Sequence, residues 1–172
     1  MDFGGILKIV GMLLSGVALV ALSVFGVIVY RGFLKNRANT PAESFAATAN
    51  TPQGAARMFH DAVRRRDLDA MVGMRAFDHE ATAMLERQGK VGPEWTGLGD
   101  STAAVLSQAF RAEWANREWP DLRKARAYFG EPLSLGDNIV TMSERIEYPG
   151  RNAERSQLYL VQQNGVWKLF VQ

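Results

Sequence analysis

The feature that most constrains this 172-residue chain is an uncharged apolar segment, residues 9–30, with the sequence IVGMLLSGVALVALSVFGVIVY. At a rise of 1.5 Å per residue, a helix of this length covers the roughly 30 Å hydrocarbon core of a bilayer. A cleaved signal peptide is the alternative, but its apolar region is usually about 7–15 residues and ends at a small-residue cleavage site. We therefore predict a short tail, residues 1–8, followed by a retained transmembrane helix that contacts membrane lipid.

Basic residues follow this segment and bear on its orientation. Tyr30 lies where an interfacial aromatic residue is expected. Arg31, Lys35 and Arg37 come next and can reach lipid headgroups. Because only Lys8 precedes the span, the positive-inside rule favours a cytoplasmic domain. Small tethered domains with short N-terminal tails are also common on the outer face of bacterial membranes. We predict a single-pass protein of the plasma (inner) membrane with a cytoplasmic domain, and an extracytoplasmic domain is the alternative.

The charge distribution argues against a nucleic-acid partner. The sequence has 20 Lys and Arg residues and 18 Asp and Glu residues. The basic excess belongs to the membrane flank, so the rest of the chain is close to neutral. Since non-specific phosphate binding needs clustered basic charge, we expect no nucleic-acid partner.

The sequence offers few residues for a metal or a cofactor. It has no cysteine and two histidines, His60 and His79. Disulfides, thiolate metal sites, cysteine nucleophiles and His-rich metal sites are thereby excluded, which leaves only carboxylate sites. Phosphate-binding glycine loops and the Gly-x-Ser-x-Gly and His-Glu-x-x-His motifs do not occur. We predict no metal and no cofactor.

Residues 31–50 are predicted to form a basic flank and linker, and residues 51–172 are predicted to form one domain with a single core. The linker is small and polar, with no sustained apolar face. Thr51 is a good N-cap, and Pro52 suits the first position of a helix. Apolar residues then recur at i, i+3 and i+4 spacing: Ala55, Met58, Phe59, Ala62 and Val63. A first amphipathic helix is therefore predicted.

Three further helices are predicted from capping residues and apolar spacing. Asp67 caps a shorter helix, Asp78 caps a third, and Asp100 or Ser101 opens a fourth. Between the third and fourth helices, the segment RQGKVGPEWTGLGD contains four glycines and a proline. This composition predicts a long loop.

After Pro120 the pattern changes to strands separated by turn residues. The predicted strands are RKARAYF, a short piece around Leu133 and Leu135, NIVTMSERIEY, RSQLYLVQQ and VWKLFVQ. The last two flank Asn164-Gly165, the strongest short-range hairpin signal, because both central residues of a type I′ turn need positive φ. Helices first and an antiparallel meander afterwards predict an α+β domain.

Two segments of the domain resemble the nuclear transport factor two-like superfamily. They are the helix TPQGAARMFHDAVRRRDLDAM and the closing strand NGVWKLF, within residues 51–172. The resemblance implies a cone-shaped domain in which about three to four helices pack on a curved antiparallel sheet. The superfamily includes ketosteroid isomerase, scytalone dehydratase, polyketide cyclases and many non-enzymatic binding and assembly modules. A membrane-tethered member is also similar to inner-membrane assembly-platform proteins of type IV secretion systems.

A polar side chain on an apolar face indicates a candidate site in such a cone. Glu113 falls inside the apolar stripe of the fourth helix, between Phe110 and Trp114. Period-two alternation places Glu144 on the same side of its strand as Met142. The predicted ligand pocket comprises Phe59, Phe110, Glu113, Trp114, Met142, Glu144, Tyr148 and Tyr159.

Glu113 and Glu144 could act as general acid and base if burial raises their pKa values. The alternative is that each glutamate extends to the mouth of the cone or pairs with an arginine, for which the candidates are Arg111, Arg123, Arg126 and Arg145. A dehydratase would need a histidine facing the cavity beside a carboxylate. His60 lies on the flank of the first helix, roughly 100° from Phe59, and His79 begins the third, so both are predicted to be exposed.

The combined pattern predicts a membrane-anchored module that binds a protein partner or a small apolar ligand without catalysis. A membrane-anchored isomerase or dehydratase acting on a hydrophobic substrate is the first alternative, with Glu113 and Glu144 as its catalytic residues. An accessory subunit of a larger membrane complex is the second. A homodimer through the outer face of the sheet is also expected, with contributions from Arg145, Glu147, Tyr159 and Phe170.

Overall fold

A computed structural model describes residues 38–171 of the chain. These residues form an α+β fold in which four α-helices precede most of an antiparallel sheet. The helices are α1 (Pro52–Arg65), α2 (Leu68–Gly73), α3 (Phe77–Arg87) and α4 (Thr96–Asn116). The strands are β1 (Thr40–Pro41), β2 (Arg126–Phe129), β3 (Leu133–Gly136), β4 (Ile139–Glu147), β5 (Glu154–Gln163) and β6 (Val166–Phe170). Short 3-10 helices occupy Ala42–Ser44 and Pro93–Trp95.

The predicted membrane segment, residues 9–30, lies outside the described residues, as do the predicted tail and the flank residues Tyr30, Arg31, Lys35 and Arg37. Across residues 38–171, none of the helices combines the length and the apolar character needed to cross a bilayer.

The capping residues of α1 and α2 act as the sequence predicts. The Thr51 side chain accepts a hydrogen bond from the Gly54 amide, and Pro52 opens the helix. The Asp67 side chain caps α2 by accepting from the Ala70 amide at 3.0 Å. Both caps satisfy backbone donors that a helix start leaves unpaired.

The starts of α3 and α4 differ from the prediction. Asp78 lies in the first turn of α3, and Ala76 is the N-cap residue without a side-chain hydrogen bond. α4 begins at Thr96 rather than at Asp100 or Ser101, so Gly97 and Gly99 lie inside the helix. The predicted long loop is therefore shorter, and part of it is the 3-10 helix Pro93–Trp95.

The sheet is antiparallel in every strand pairing. The strand order is β1-β2-β4-β5-β6, and β3 also pairs with β4. β2 pairs with the second half of β4 and β3 with the first half, so both lie along the same edge of β4. The β5–β6 hairpin turns at Asn164 and Gly165, whose φ values are 52° and 79°, as the Asn-Gly signal predicts.

Residues 38–50, which belong to the segment predicted as a basic flank and linker, pack on the sheet. Thr40 pairs with Phe129 as β1 extends the sheet. Ala42 is buried, and the Phe45 ring lies 6.1 Å from the Phe129 ring. This segment carries no periodic signal, yet Phe45 packs against an aromatic ring that β2 supplies from much later in the chain.

The core consists of two clusters of buried side chains. The first joins the start of α1 to the sheet and contains Ala42, Ala55, Ala56, Met74, Ala127, Phe129, Met142, Leu160 and Leu169. The second joins the helices to the segment before β2 and contains Ala62, Val63, Met71, Phe77, Ala81, Ala103, Phe110, Leu122 and Ala125. Phe59 on α1 packs against both clusters.

The outer edge of β6 is covered by segments from earlier in the chain. The Trp167 amide donates to the Ala49 carbonyl at 2.7 Å. The Leu169 amide donates to Met74, and the Leu169 carbonyl accepts from Ala76. The covering segments therefore satisfy backbone groups that an edge strand would otherwise expose.

Candidate functional site

The candidate site is a buried histidine–carboxylate pair that joins α1 to β4. His60 Nε2 lies 2.5 Å from Glu144 Oε1. Each residue is only 7% exposed. The contact is a short, charge-assisted hydrogen bond in which the Nε2–H donates to the carboxylate.

Ser156 on β5 completes the arrangement from the opposite side of the carboxylate. Its hydroxyl donates to Glu144 Oε2 at 2.5 Å, and Glu144 and Ser156 are direct cross-strand partners. Burial raises the pKa of the Glu144 carboxyl, but the hydrogen bond and charge of His60 and the Ser156 hydrogen bond outweigh it. The pKa therefore lies below its ordinary value, and Glu144 is ionised at neutral pH.

Local sequence patterns explain why these side chains point inward. Ala56, His60 and Val63 are spaced at i, i+4 and i+7, and all three are buried on one face of α1. On β4, Glu144 shares a face with buried Met142, as period-two alternation predicts. The Phe129 ring then packs edge-on against the imidazole with centroids 5.5 Å apart.

The prediction that His60 is exposed is wrong. The prediction took Phe59 as the centre of the buried helix face, but Phe59 is itself only half-buried. Ala56 and Val63 mark the buried face instead, so this spacing is the signal that could have found His60. His79 is half-buried, and its ring packs on Phe170 with centroids 4.6 Å apart.

The two ring nitrogens of His60 differ in their hydrogen bonding. Nδ1 is buried and has no hydrogen-bond partner among residues 38–171. A general base would use such a nitrogen if a substrate could reach it. On the other side of the carboxylate, Ser156 is exposed on β5, so the hydrogen bonds link a surface hydroxyl to a buried imidazole.

Glu113 is not part of this site, which corrects the prediction that it lies inside the apolar stripe. It is exposed on α4 and forms an i,i+4 ion pair with Arg117 at 3.1 Å. Glu144 also departs from the expected pairing with an arginine, because its partners are His60 and Ser156. Glu113 and Glu144 therefore do not form a convergent pair of carboxylates.

The other predicted pocket residues belong to separate clusters. Met142 belongs to the first core cluster, and Phe110 belongs to the second, on which Trp114 and Tyr148 pack. Tyr159 lies against the Phe170 ring, with centroids 5.9 Å apart.

Two surface clefts beside α3 also lie away from these residues. The first has a volume of about 290 Å³ and includes Asp78, Lys90 and Trp95 in its lining. The second has a volume of about 380 Å³ and is lined in part by Met84 and Leu106. Neither cleft is lined by any of the eight residues predicted to form the pocket.

Within the described part of the chain, no group of three or more His, Asp or Glu side chains is arranged to hold a metal ion.

Comparison with known proteins found no match for this chain among protein-family models, curated proteins or solved structures.

Proposed function

We propose that this protein is a membrane-anchored binding or assembly module that recognises a protein partner through its α+β domain. The observation that carries the proposal is the packing of the interior. Phe129, Met142 and Leu160 are completely buried in the core cluster that joins α1 to the sheet, where the predicted cone would hold its ligand. A filled interior leaves the surfaces of the domain as the places where a partner would bind.

The outer face of the sheet is the surface that best suits this role. Tyr159 and Phe170 form a half-buried aromatic pair there. On the same face, the Arg145 guanidinium lies 4.2 Å from the centre of the Tyr128 ring and 2.7 Å from Glu147. Aromatic and arginine side chains are enriched at protein interfaces, and a second copy of the chain is the partner we favour.

The proposal includes the features that the sequence predicts outside the described residues. Residues 9–30 would span the plasma membrane and hold the domain close to its surface, in the cytoplasm or, alternatively, outside it. The order of helices and antiparallel strands is compatible with a cone of the nuclear transport factor two-like kind. Such tethering suits assembly, because it concentrates the domain where membrane complexes form.

The oligomeric state of the full chain in detergent micelles tests the outer-face interface. We expect a dimer by sedimentation, and we expect Tyr159→Arg to shift it toward monomer. Met84→Arg is the matched control, since Met84 is an apolar residue 44% exposed on α3. A wild-type monomer, or equal dissociation by both variants, would contradict an interface on this face.

Membrane placement has its own test. Carbonate extraction should leave the full chain in the membrane fraction, and deletion of residues 9–30 should release it. Protease treatment of intact and lysed spheroplasts then reports the orientation. Protection of a C-terminal epitope until lysis would support the cytoplasmic placement, and digestion in intact spheroplasts would overturn it.

A second candidate function is an isomerase or dehydratase acting on a hydrophobic substrate that partitions into the bilayer. The pair His60–Glu144 favours it, because a carboxylate-oriented imidazole is a common acid–base device. A panel of apolar enones in heavy water would test it by deuterium incorporation. Incorporation that is lost in Glu144→Gln supports catalysis, and equal incorporation with wild type and variant rejects it.

An accessory subunit of a larger membrane complex is a third form of the same binding role. Stable co-purification of other membrane chains with the full-length protein would support it. Solubilisation as the single chain or its dimer alone would argue against it.

A further inference from the structure

Strand β5 extends past the end of its neighbour β6. β6 pairs with residues 159–163 of β5, from Phe170 opposite Tyr159 to Val166 opposite Gln163. Residues 154–158, here called the β5 overhang, therefore pair with β4 on one side only. Residues 154–157 are all exposed.

The hydrogen-bond pattern shows which backbone groups of the overhang point outward. The Gln162 amide donates to the Asn138 carbonyl on the β4 side. In an antiparallel ladder these bonds alternate, so even-numbered residues of β5 face β4 and odd-numbered residues face away. Arg155 and Gln157 thus direct their backbone N–H and C=O groups outward, where residues 38–171 provide no partner strand.

The overhang also carries a cationic side chain without a counterion. Arg155 lies directly opposite Arg145 on β4, on the outer face of the sheet. Arg145 is already held by Glu147 at 2.7 Å and by the Ala38 carbonyl at 3.1 Å. Arg155 forms no ion pair with any described residue, and like charges directly opposite each other are unfavourable.

The other face of the overhang has a different character. Glu154 and Ser156 point to the inner face with Glu144, as their pairing with β4 requires. Leu158 follows on that face and is half-buried. A carboxylate on an added strand would be repelled by Glu154 there, whereas an apolar side chain would extend the contact with Leu158.

We infer that the β5 overhang binds an extended peptide segment as an additional strand, with acidic side chains facing Arg155 and apolar side chains on the opposite face. Backbone hydrogen bonds to Arg155 and Gln157 would supply affinity, and the alternating side chains would supply specificity. This peptide site rests on the proposed binding function and names one class of partner for it. It is separate from the aromatic surface around Tyr159 and Phe170.

The test measures peptide binding to the full chain in detergent micelles by fluorescence anisotropy. The probes are labelled octapeptides of alternating Glu and Val or alternating Lys and Val. We expect the acidic probe to bind and the basic probe to bind about two- to fivefold more weakly, as expected for an opposite-charge cross-strand pair. Arg155→Glu should reverse this preference. Arg126→Glu is the matched control, because Arg126 is exposed on β2 and also lies on the outer face, and it should leave the preference unchanged.

A backbone test separates strand addition from simple charge attraction. N-methylation of the Glu residues removes one set of peptide donors, and N-methylation of the Val residues removes the other. Since a strand bonds its neighbour through alternate residues, one of these probes should lose binding and the other should retain it. Amide exchange at Arg155 and Gln157 should slow when the acidic probe is bound.

Three outcomes would overturn the peptide site. They are no binding of the acidic probe, an unchanged preference in Arg155→Glu, and an equal effect of both N-methylated probes. A dimer that survives while the acidic probe fails to bind would reject the peptide site and leave the proposed assembly function standing. A wild-type chain that is monomeric but binds the acidic probe would reject the outer-face dimer and leave the peptide site standing.

Discussion

The Nε2 atom of His60 lies 2.5 Å from the Oε1 atom of Glu144 inside the domain, although the two residues belong to distant parts of the sequence. The contact fixes α1 against β4 at one register, because both polar groups are buried and each satisfies the other. Ser156 extends the contact to β5. Three elements are thus tied together by one carboxylate.

Removal of this carboxylate should destabilise the domain strongly. Glu144→Ala leaves the His60 Nε2–H buried without an acceptor, and we expect a loss of about 3 kcal/mol in the free energy of unfolding. Urea unfolding of the full chain in detergent, followed by tryptophan fluorescence, measures it. Glu113→Ala is the control, and its exposed ion pair predicts a change within about 0.5 kcal/mol. Equal losses of unfolding free energy in the two variants would mean that the buried pair stabilises the domain no more than an exposed ion pair does.

The same carboxylate should make stability depend on acid pH. The pKa of Glu144 is lowered in the folded state, as its hydrogen bonds from His60 and Ser156 outweigh the effect of burial. Its ionised form therefore stabilises the fold above its ordinary pKa of 4.5, and this contribution is lost as the pH falls through the folded-state value. Unfolding curves at pH 6 and pH 3 should show a smaller acid-induced loss in Glu144→Gln than in wild type. A loss of the same size in both proteins would contradict this assignment.

A half-buried ion pair should hold the end of the described chain. Glu80 Oε1 lies 2.5 Å from Arg75 Nη2 and accepts the Val171 amide at 3.0 Å. Glu80→Ala leaves the Arg75 guanidinium without its carboxylate, and we expect a cost of about 2–4 kcal/mol and faster amide exchange at Val171.

Two further variants check this prediction. The double variant Arg75→Met, Glu80→Leu should recover part of the loss, because an ion pair largely removed from water beside the Phe77 and Phe110 rings is often replaceable by apolar residues. Asp121→Ala, which removes an exposed pair with Arg123, should leave the unfolding curve unchanged. Unaltered exchange at Val171 in Glu80→Ala would show that the side chain does not hold this segment.

The same glycine-to-alanine change should have opposite effects at two positions. Gly165 has a φ of 79° in the β5–β6 turn, so Gly165→Ala forces a left-handed conformation and should cost about 1 kcal/mol. Gly99 lies inside α4, where an added methyl group would meet no atom within 4 Å. Gly99→Ala should therefore stabilise the domain by about 0.5–1 kcal/mol. Thermal unfolding of the two variants compares them directly, and shifts of the same sign would refute the conformational explanation.

Local signals in the sequence predicted much of the fold. Thr51 and Pro52 set the start of α1, and Asn164-Gly165 set the last hairpin, because both depend on backbone geometry within a few residues. The inward position of Glu144 also followed from strand alternation. In each case the controlling interactions lie close together along the chain.

The features that were missed depend on contacts between distant segments. The partner of Glu144 is set by how α1 packs on the sheet, and alternation on β4 alone cannot reveal His60. The packing of Ala42 and Phe45 depends on Phe129 in β2. Gly97 likewise lowers the intrinsic helix propensity of a segment that packing against α3 keeps helical.

The coverage of β6 by Ala49 and by the segment between α2 and α3 affects when the domain can complete its folding during synthesis. Trp167 and Leu169 take their backbone partners from residues that leave the ribosome much earlier. Closing these contacts joins distant parts of the chain, which slows folding relative to local helix formation. During synthesis, we therefore expect the surface of α1 that contacts β6 to stay uncovered until β6 has been made. A nascent chain of this protein would need protection from aggregation until its final strand is complete.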